Sequence, residues 1–399
     1  MKVAIFVETY VPLINGVVTH VKVLKEGLEA LGHEVLVVFA DIAAKHHYIQ
    51  DHVLHCPAKE LKHIYHFGLA SPLSRTRMRM LRAFNPDVIH IHTEWGIGRS
   101  GLHIAKRLQV PVVYTLHTMY DDYVYYVAAP WWEDLAKRLM HSYLKPFIQG
   151  ASEITGPSVK CQYYLDQAQS DLKVHVIANS VEVERFNREQ FTSADRAALR
   201  RRYGIPEDAT VACFVGRLAR EKSVDALLQY WAHTLSQDDG LHLMIIGGGP
   251  DLDALRRQAD GLGLSAMVTF TDMVPHEEVP LHLASSDLYL TASLSEAYSM
   301  SMLEAMAAGL PVLQRLDELN KEQIVDRVNG YKFRTEEEMA GYLRQFRRLT
   351  PEAWAAFRRS TVDSVKALGD ERLARELLQV YESAIALNAS PSSPTPPSI

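Results

Sequence analysis

The sequence predicts an α/β protein built from two Rossmann-like, doubly wound domains facing a cleft. Three observations predict it. Short apolar, β-rich runs alternate with helical patterns along most of the chain, which marks βαβ units and parallel sheets. The 399 residues exceed what one ordinary core organises. Several of the apolar runs end in polar loops carrying Gly, His, Arg or Glu, and ligands of open α/β sheets bind at the carboxyl ends of strands.

Lys2–Val7 is a continuous apolar run, as expected of a strand buried on both faces. It reads as a strand and is too short for a signal peptide. It leads through Glu8–Gly16 into a helix with Val18, Val21, Leu24, Leu28 and Leu31 at helical spacing. Gly32-His33 ends that helix, and Val35–Phe39 is the second strand. Residues 73–83 form a short basic helix with Arg75, Arg77, Arg79 and Arg82. Strands follow at Val88–Ile91 and Val112–Thr115, and their loops carry His92 and His117. Residues 120–149 are aromatic and basic, with Tyr120, Tyr123, Trp131, Trp132, Lys137, Arg138 and Lys145. Glu153–Pro157 and Val174–Ile177 close a first domain of residues 1–178, and Ala178–Phe186 links it to the second.

The second domain, residues 179–365, has strands at Val211–Val215, Leu241–Ile246, Val268–Phe270, Leu288–Leu290 and Val312–Leu313. A helix over residues 366–388 is expected to pack back on the N-terminal domain. The Pro-rich residues 389–399 read as a disordered tail.

The bulk properties narrow the function. The hydrophobic content of 47% and charged content of 23% describe a globular protein, and no run of about twenty apolar residues suggests a membrane span. Cys56, Cys161 and Cys213 are widely spaced, which fits a reducing cytoplasm and neither a disulfide framework nor a zinc motif. Over residues 1–190, 20 Lys and Arg face 19 Asp and Glu, which leaves 22 against 29 of the totals 42 and 48. No basic excess exists to drive nucleic-acid binding. H-E-x-x-H does not occur, and no metal site is expected.

The chemistry concentrates in three places. Residues 291–313 (TASLSEAYSMSMLEAMAAGLPVL) read as strand end, polar turn, helix and helix stop, with Glu296 and Glu304 bracketing the helix start. Such a unit aims backbone N–H groups and the positive helix end at an anion. Arg217 and Lys222 follow another strand end, where two cations suit a diphosphate or form a solvated basic turn. Gly16 and Gly247 lie in βα loops that admit close ligand approach or simply turn the chain. His117 is a site candidate at a strand end. The aromatic and basic stretches read either as core plus rim or as a lipid-facing surface, with Tyr120, Tyr123, Trp131, Trp132, Arg75 and Arg79 as its candidates.

Taken together, these residues resemble glycosyltransferase family 4, the retaining nucleotide-sugar transferases of the GT-B fold. The resemblance runs from Met1 to about Phe333 and rests on Glu296-x7-Glu304 followed by AMAAGLPV, GRLAREK at 216–222 and IIGGGP at 245–250. Within the family, residues 1–35 and LHTMYDDYVYY look most similar to bacterial 1,2-diacylglycerol 3-glucosyltransferases.

The resemblance implies that Glu296 contacts the donor sugar's hydroxyls, Glu304 holds the ribose, and Arg217 with Lys222 binds the diphosphate. It implies that Gly16 lies beside the donor phosphates and His117 near the transferred sugar, with Gly247, Ser299 and Met300 also on the donor side. It further implies no metal and no cofactor, UDP-glucose as donor substrate, a diacylglycerol-type acceptor, and a cytoplasmic protein peripheral on the inner face of the plasma membrane. Other acceptors, a GT-B epimerase of nucleotide sugars and a non-catalytic binding module are the alternatives. Two departures stand out. Ser299 occupies a place where Gly is common, and the linker reads Asn179-Ser180-Val181-Glu182 where the family usually has Gly second and Asp fourth.

Overall fold

The structure is a computed structural model describing residues 1–13, 15–61, 67–118, 120–122, 132–167, 169–319 and 321–389. Tyr123, Trp131 and the tail from residue 390 lie outside the described residues. The chain divides into two compact units, Met1–Asn179 with the segment from Asp370 onward, and Ser180–Gly369.

The first unit begins with β1 (Lys2–Phe6), α1 (Gly16–Ala30), β2 (Glu34–Asp41), β3 (Tyr48–Gln50), β4 (Val53–Leu61) and β5 (Phe67–Ala70). It continues with α2 (Arg75–Phe84), β6 (Val88–Ile91), α3 (Gly96–Leu108), β7 (Val112–Thr115), α4 (Glu133–Gly150), β8 (Glu153–Gly156), α5 (Gln162–Gln167) and β9 (Val174–Val176). The sheet order is β3-β4-β2-β1-β6-β7-β8-β9, with β5 paired to β4. Among the described residues, only the β3 and β5 pairings with β4 are antiparallel. The order reverses between β1 and β6, so the loops after these two strands flank a topological switch point.

The strands exist where expected because Val3, Ile5, Val35, Val37 and Val88 are wholly or almost wholly buried, packed with Val21, Leu24 and Leu28 of α1. Asn15 caps α1, its side-chain oxygen accepting from the Val17 and Val18 N–H groups at 3.0 Å each.

The second unit comprises α6 (Val183–Phe186), α7 (Ser193–Arg202), β10 (Thr210–Val215), α8 (Val224–Thr234), β11 (Leu241–Ile246), α9 (Leu252–Gly261) and β12 (Val268–Phe270). Then come α10 (Val279–Ala284), β13 (Leu288–Thr291), α11 (Met300–Ala307), β14 (Val312–Arg315), β15 (Gly330–Phe333), α12 (Glu336–Arg347) and α13 (Pro351–Lys366). Its six strands are all parallel in the order β12-β11-β10-β13-β14-β15. This is the dinucleotide-fold order, and its switch point lies between β10 and β13. The loops after those two strands carry Arg217, Lys222 and Glu296.

The last helix, α14 (Asp370–Ala389), belongs to the first unit, where it packs along α1 and buries Leu373, Leu377 and Tyr381. The division therefore falls at 179/180 and 369/370, not at 178/179 and 365/366. Ala389 closes this helix instead of opening a tail.

Candidate active site

In the second unit, two loops meet at the switch point. Gly216 ends β10 at φ +158°, and the following turn, Arg220–Lys222, is a single helical turn. Glu221 ties this loop to the one after β13. Its backbone carbonyl accepts from Ser293 Oγ at 3.1 Å and from Ser295 Oγ at 2.9 Å. Its carboxylate, almost wholly buried, accepts from Arg217 Nη2 at 2.6 Å. Lys222 Nζ donates to Glu296 Oε1 at 2.5 Å, which joins the two loops a second time. Sequence reasoning passed over Glu221, Ser293 and Ser295, because a buried brace within a charged run carries no periodic signal.

Glu221 is thus a positioning residue for Arg217. Glu221→Ala is expected to lower turnover roughly 10-fold through loss of one charge-assisted hydrogen bond, with Glu221→Gln recovering part of it. Steady-state kinetics of the two variants check this.

The third loop, after β11, supports the first from behind. Leu218 N–H donates to the Gly248 carbonyl at 2.8 Å, and Asp251 N–H to the Leu218 carbonyl at 3.1 Å. Gly247 has φ +136°, and a Cβ there would lie 2.1 Å from the Gly216 carbonyl oxygen. Backbone contact within the unit therefore accounts for this glycine without a ligand. Gly247→Ala is expected to cost about 3 kcal/mol of stability from strain alone, with the clash added, and a urea midpoint measures it.

Ser299 explains one departure. It is the N-cap of α11 with φ −73°, a value that requires no glycine. Its hydroxyl accepts from the Met302 N–H at 3.4 Å and lies 3.1 Å from Ser301 Oγ. Its backbone is clamped by Gln323, which accepts from Ser299 N–H at 3.2 Å and donates to the Ser299 carbonyl at 3.1 Å. The side chain therefore caps the helix. Met300 begins α11 half-buried, and Glu304 is buried on it. Glu304 Oε1 stands 3.6 Å from His276 Nε2, and Arg185 Nη2 approaches His276 Nδ1 at 2.5 Å. Arg185 holds no lone pair to accept a bond, so His276 carries its proton on Nε2, facing the carboxylate. His276 too was absent from the sequence-derived site.

In the first unit, Gly16 is exposed at the first position of α1. His117, half-buried, has its Nε2 at 2.8 Å from Nδ1 of the buried His92. Two buried carboxyls flank this switch point. Glu8 Oε1 accepts from the Ile97 N–H at 2.7 Å, at the start of α3, and Oε2 from Thr93 Oγ1 at 3.1 Å. Glu94 accepts from the Tyr114 hydroxyl at 2.6 Å and from the Tyr120 hydroxyl. Burial outweighs these bonds and pushes both carboxyls up to about 7.

Two surface expectations change. Tyr120 is spent on Glu94 and is not a free anchor. Arg77 is 1% exposed, its Nη1 donating to the Ser71 carbonyl at 3.0 Å, so it does not belong to a basic face. Arg75, Arg79 and Arg82 are exposed and, at i, i+4 and i+7, share one side of α2. Trp132, Leu135 and Leu139 are 46%, 43% and 63% exposed and fall on one stripe of α4, with exposed Arg138 and Lys145 beside it.

Two doubly wound α/β units, the second wholly parallel with a Lys–Glu and an Arg–Glu pair at its switch point, are the architecture of the GT-B glycosyltransferases. Residues 195–355 match the family model "Glycosyl transferases group 1", and residues 14–185 match "Glycosyltransferase Family 4". The chain belongs to the family 4 glycosyltransferases and is a glycosyltransferase. It is 33% identical to the alpha-monoglucosyldiacylglycerol synthase of Acholeplasma laidlawii, over 97% of this chain and 98% of that protein. It is 32% identical to a GDP-mannose-dependent alpha-mannosyltransferase of Mycobacterium tuberculosis, over 78% of each chain. The structure of Anabaena Alr3699/HepE in complex with UDP and glucose superposes with a TM-score of 0.73 at 17% identity, over 96% of this chain and all of that one, a likeness of fold.

Proposed function

We propose that the protein transfers glucose from UDP-glucose to a diacylglycerol-type lipid at a membrane surface, with retention of anomeric configuration and without a metal or cofactor. The observation that carries the donor half is the 2.5 Å contact of Lys222 with Glu296 across the switch point. In a sugar diphosphate the anomeric carbon adjoins the β-phosphate, so a phosphate-binding cation and a hydroxyl-binding carboxylate belong side by side. Arg217 and Lys222 take the diphosphate, Glu296 the sugar hydroxyls and Glu304 the ribose. Gly16 and His117 keep the roles the resemblance gives them, beside the donor phosphates and the transferred sugar.

The chemistry needs little from the protein beyond placement and charge. The bond from the anomeric carbon to the diphosphate oxygen breaks, and the acceptor hydroxyl oxygen forms its bond on the same face. A phosphate oxygen of the leaving group accepts the hydroxyl proton. Arg217 and Lys222 stabilise the charge that builds on the diphosphate, which is where electrostatic catalysis is largest.

The lipid half rests on α4 and α2. An exposed apolar stripe bordered by cations suits the headgroup–acyl boundary. Among the described residues no helix is long and apolar enough to cross a membrane. Anionic vesicles should therefore capture the protein in sedimentation. Arg75→Gln with Arg79→Gln should weaken capture by roughly 30-fold, at about 1 kcal/mol for each cation. Leu139→Asp should abolish it. Unaltered capture by these variants would remove the surface role. A donor-by-acceptor panel tests the whole reading: UDP-glucose and GDP-mannose against diacylglycerol vesicles and soluble acceptors, with turnover expected for UDP-glucose with diacylglycerol. Preference for GDP-mannose, or for a soluble acceptor, would overturn it.

A further inference from the structure

Four histidines gather in the first unit: His20 from α1, His90 from β6, His92 just after β6, and His117 after β7. His90 is satisfied at both nitrogens, with Nδ1 at 2.7 Å from the Tyr381 hydroxyl and Nε2 at 2.6 Å from Thr115 Oγ1. His20 and His92 are not. His20 Nδ1 donates to Asn179 Oδ1 at 3.1 Å, since a side-chain carbonyl can only accept. That leaves a lone pair on His20 Nε2, an atom that is buried with no hydrogen-bond partner among the described residues. His92 Nε2 is buried and equally without a partner there. A stranded N–H is rarer than a stranded acceptor, so the His92 proton sits on Nδ1 and is donated to His117 Nε2.

The three rings are packed together, with centroids 4.8 Å apart for His20 and His117, 5.1 Å for His92 and His117, and 5.4 Å for His20 and His92. One nitrogen from each lies within 4.8 Å of the others. Burial keeps all three imidazoles neutral, His20 down to about 4 and His92 and His117 well below the ordinary histidine range.

Three neutral imidazoles suit a borderline-soft, first-row divalent ion and not a hard one, which takes oxygen ligands. Zinc–nitrogen bonds of about 2.1 Å in tetrahedral array place ligand atoms about 3.4 Å apart. That requires a contraction of the cluster and the loss of the His92–His117 hydrogen bond, which takes the lone pair of His117 Nε2 in the unliganded arrangement. Behind His20, the Asn179 carbonyl is the outer-shell acceptor that metal-bound histidines usually have.

We propose that His20, His92 and His117 form a three-nitrogen site for one zinc-class divalent cation, with its remaining coordination position open. Zinc bound there occupies His117. Given the role proposed for that residue beside the transferred sugar, the ion is an inhibitor. This consequence rests on the proposed function, whereas the binding itself does not.

The test uses the full chain, freed of metal by a chelator and dialysed. Co2+ should produce visible absorption of a nitrogen-ligated, low-symmetry site, saturating at one equivalent, and Zn2+ should displace it. His20→Gln and His92→Gln should each weaken uptake more than roughly 100-fold, beyond the cost of losing an outer-shell partner. Surface His52→Gln should leave it unchanged. His117→Gln, at a half-buried position, supplies the same test if either buried variant does not fold. No stoichiometric Co2+ spectrum, or uptake that survives in all three variants as adventitious surface binding only, would overturn the site. Stoichiometric Zn2+ binding that leaves glucosyl transfer intact would overturn the inhibitory consequence and the role given to His117, and the site would stand.

Discussion

Replacing Lys222 or Arg217 by Ala is expected to raise the barrier to transfer by at least about 2 kcal/mol, a fall in kcat of at least roughly 30-fold, approaching the loss of one oxyanion donor. The two cations act on charge that appears only as the diphosphate departs, so the loss should fall on kcat more than on KM. The two variants are not equivalent. Lys222→Ala leaves Glu296 without its 2.5 Å partner, whereas Arg217→Ala leaves the carboxylate of Glu221 almost wholly buried beside a missing guanidinium. The second should therefore also lower stability, because a buried carboxylate stripped of its cation is costly. Lys222→Arg should not rescue, since a planar fork does not replace a point charge in the same space. Kinetics of the three variants, with a urea midpoint for each, check the pattern. Near-normal turnover in both alanine variants would remove the diphosphate role.

The second large effect is a pH dependence of stability. Glu8 and Glu94 protonate more readily folded than unfolded, at about 7 against an ordinary value of 4.5. Each therefore contributes stability that is complete below about pH 4.5 and is lost as pH rises through 7. The full span is on the order of 3 kcal/mol for each group. The buried histidines act in the opposite sense. His20, His90, His92 and His117 are all held below the ordinary 6.5 by burial, so what they contribute above 6.5 is lost as pH falls. The two effects oppose each other between about pH 4.5 and 6.5, and the carboxyl loss acts alone only above 6.5. Glu94→Gln should flatten the alkaline limb, gaining up to about 3 kcal/mol on wild type between pH 5 and pH 8. Urea unfolding across that range measures it. An unchanged slope in the variant would mean that the carboxyl titrates normally.

The parallel strands were legible in the sequence because both their faces are buried, which leaves uninterrupted apolar runs such as Val3–Phe6. β4 was not, because its partly exposed stretch carries Pro57, Lys59 and Glu60 in place of an apolar pattern. β15 was hidden in the same way by Lys332.

At the site, Glu296, Lys222 and Arg217 could be found because motif spacing reports them. Their carboxylate partners within the loops could not be assigned. Nothing in GRLAREK says that Glu221 is the residue whose side chain holds Arg217 and whose carbonyl holds two serines. Charge counting along α2 grouped Arg77 with Arg75 and Arg79, yet helical spacing turns Arg77 to the opposite, buried side. Glu8 and Glu94 gave no signal, since their properties come from neighbours distant in sequence: Ile97 and Thr93 for one, Tyr114 and Tyr120 for the other. Ser299 was a departure from pattern in the sequence and is an ordinary helix cap in the fold.

The central claim is tested most directly by the product of UDP-glucose and diacylglycerol vesicles, isolated and assigned for anomeric configuration by NMR. The account predicts an α-linked glucosyl lipid that is lost in Lys222→Ala. A β-linked product, or glucose delivered to soluble acceptors with no glycolipid formed, would contradict it.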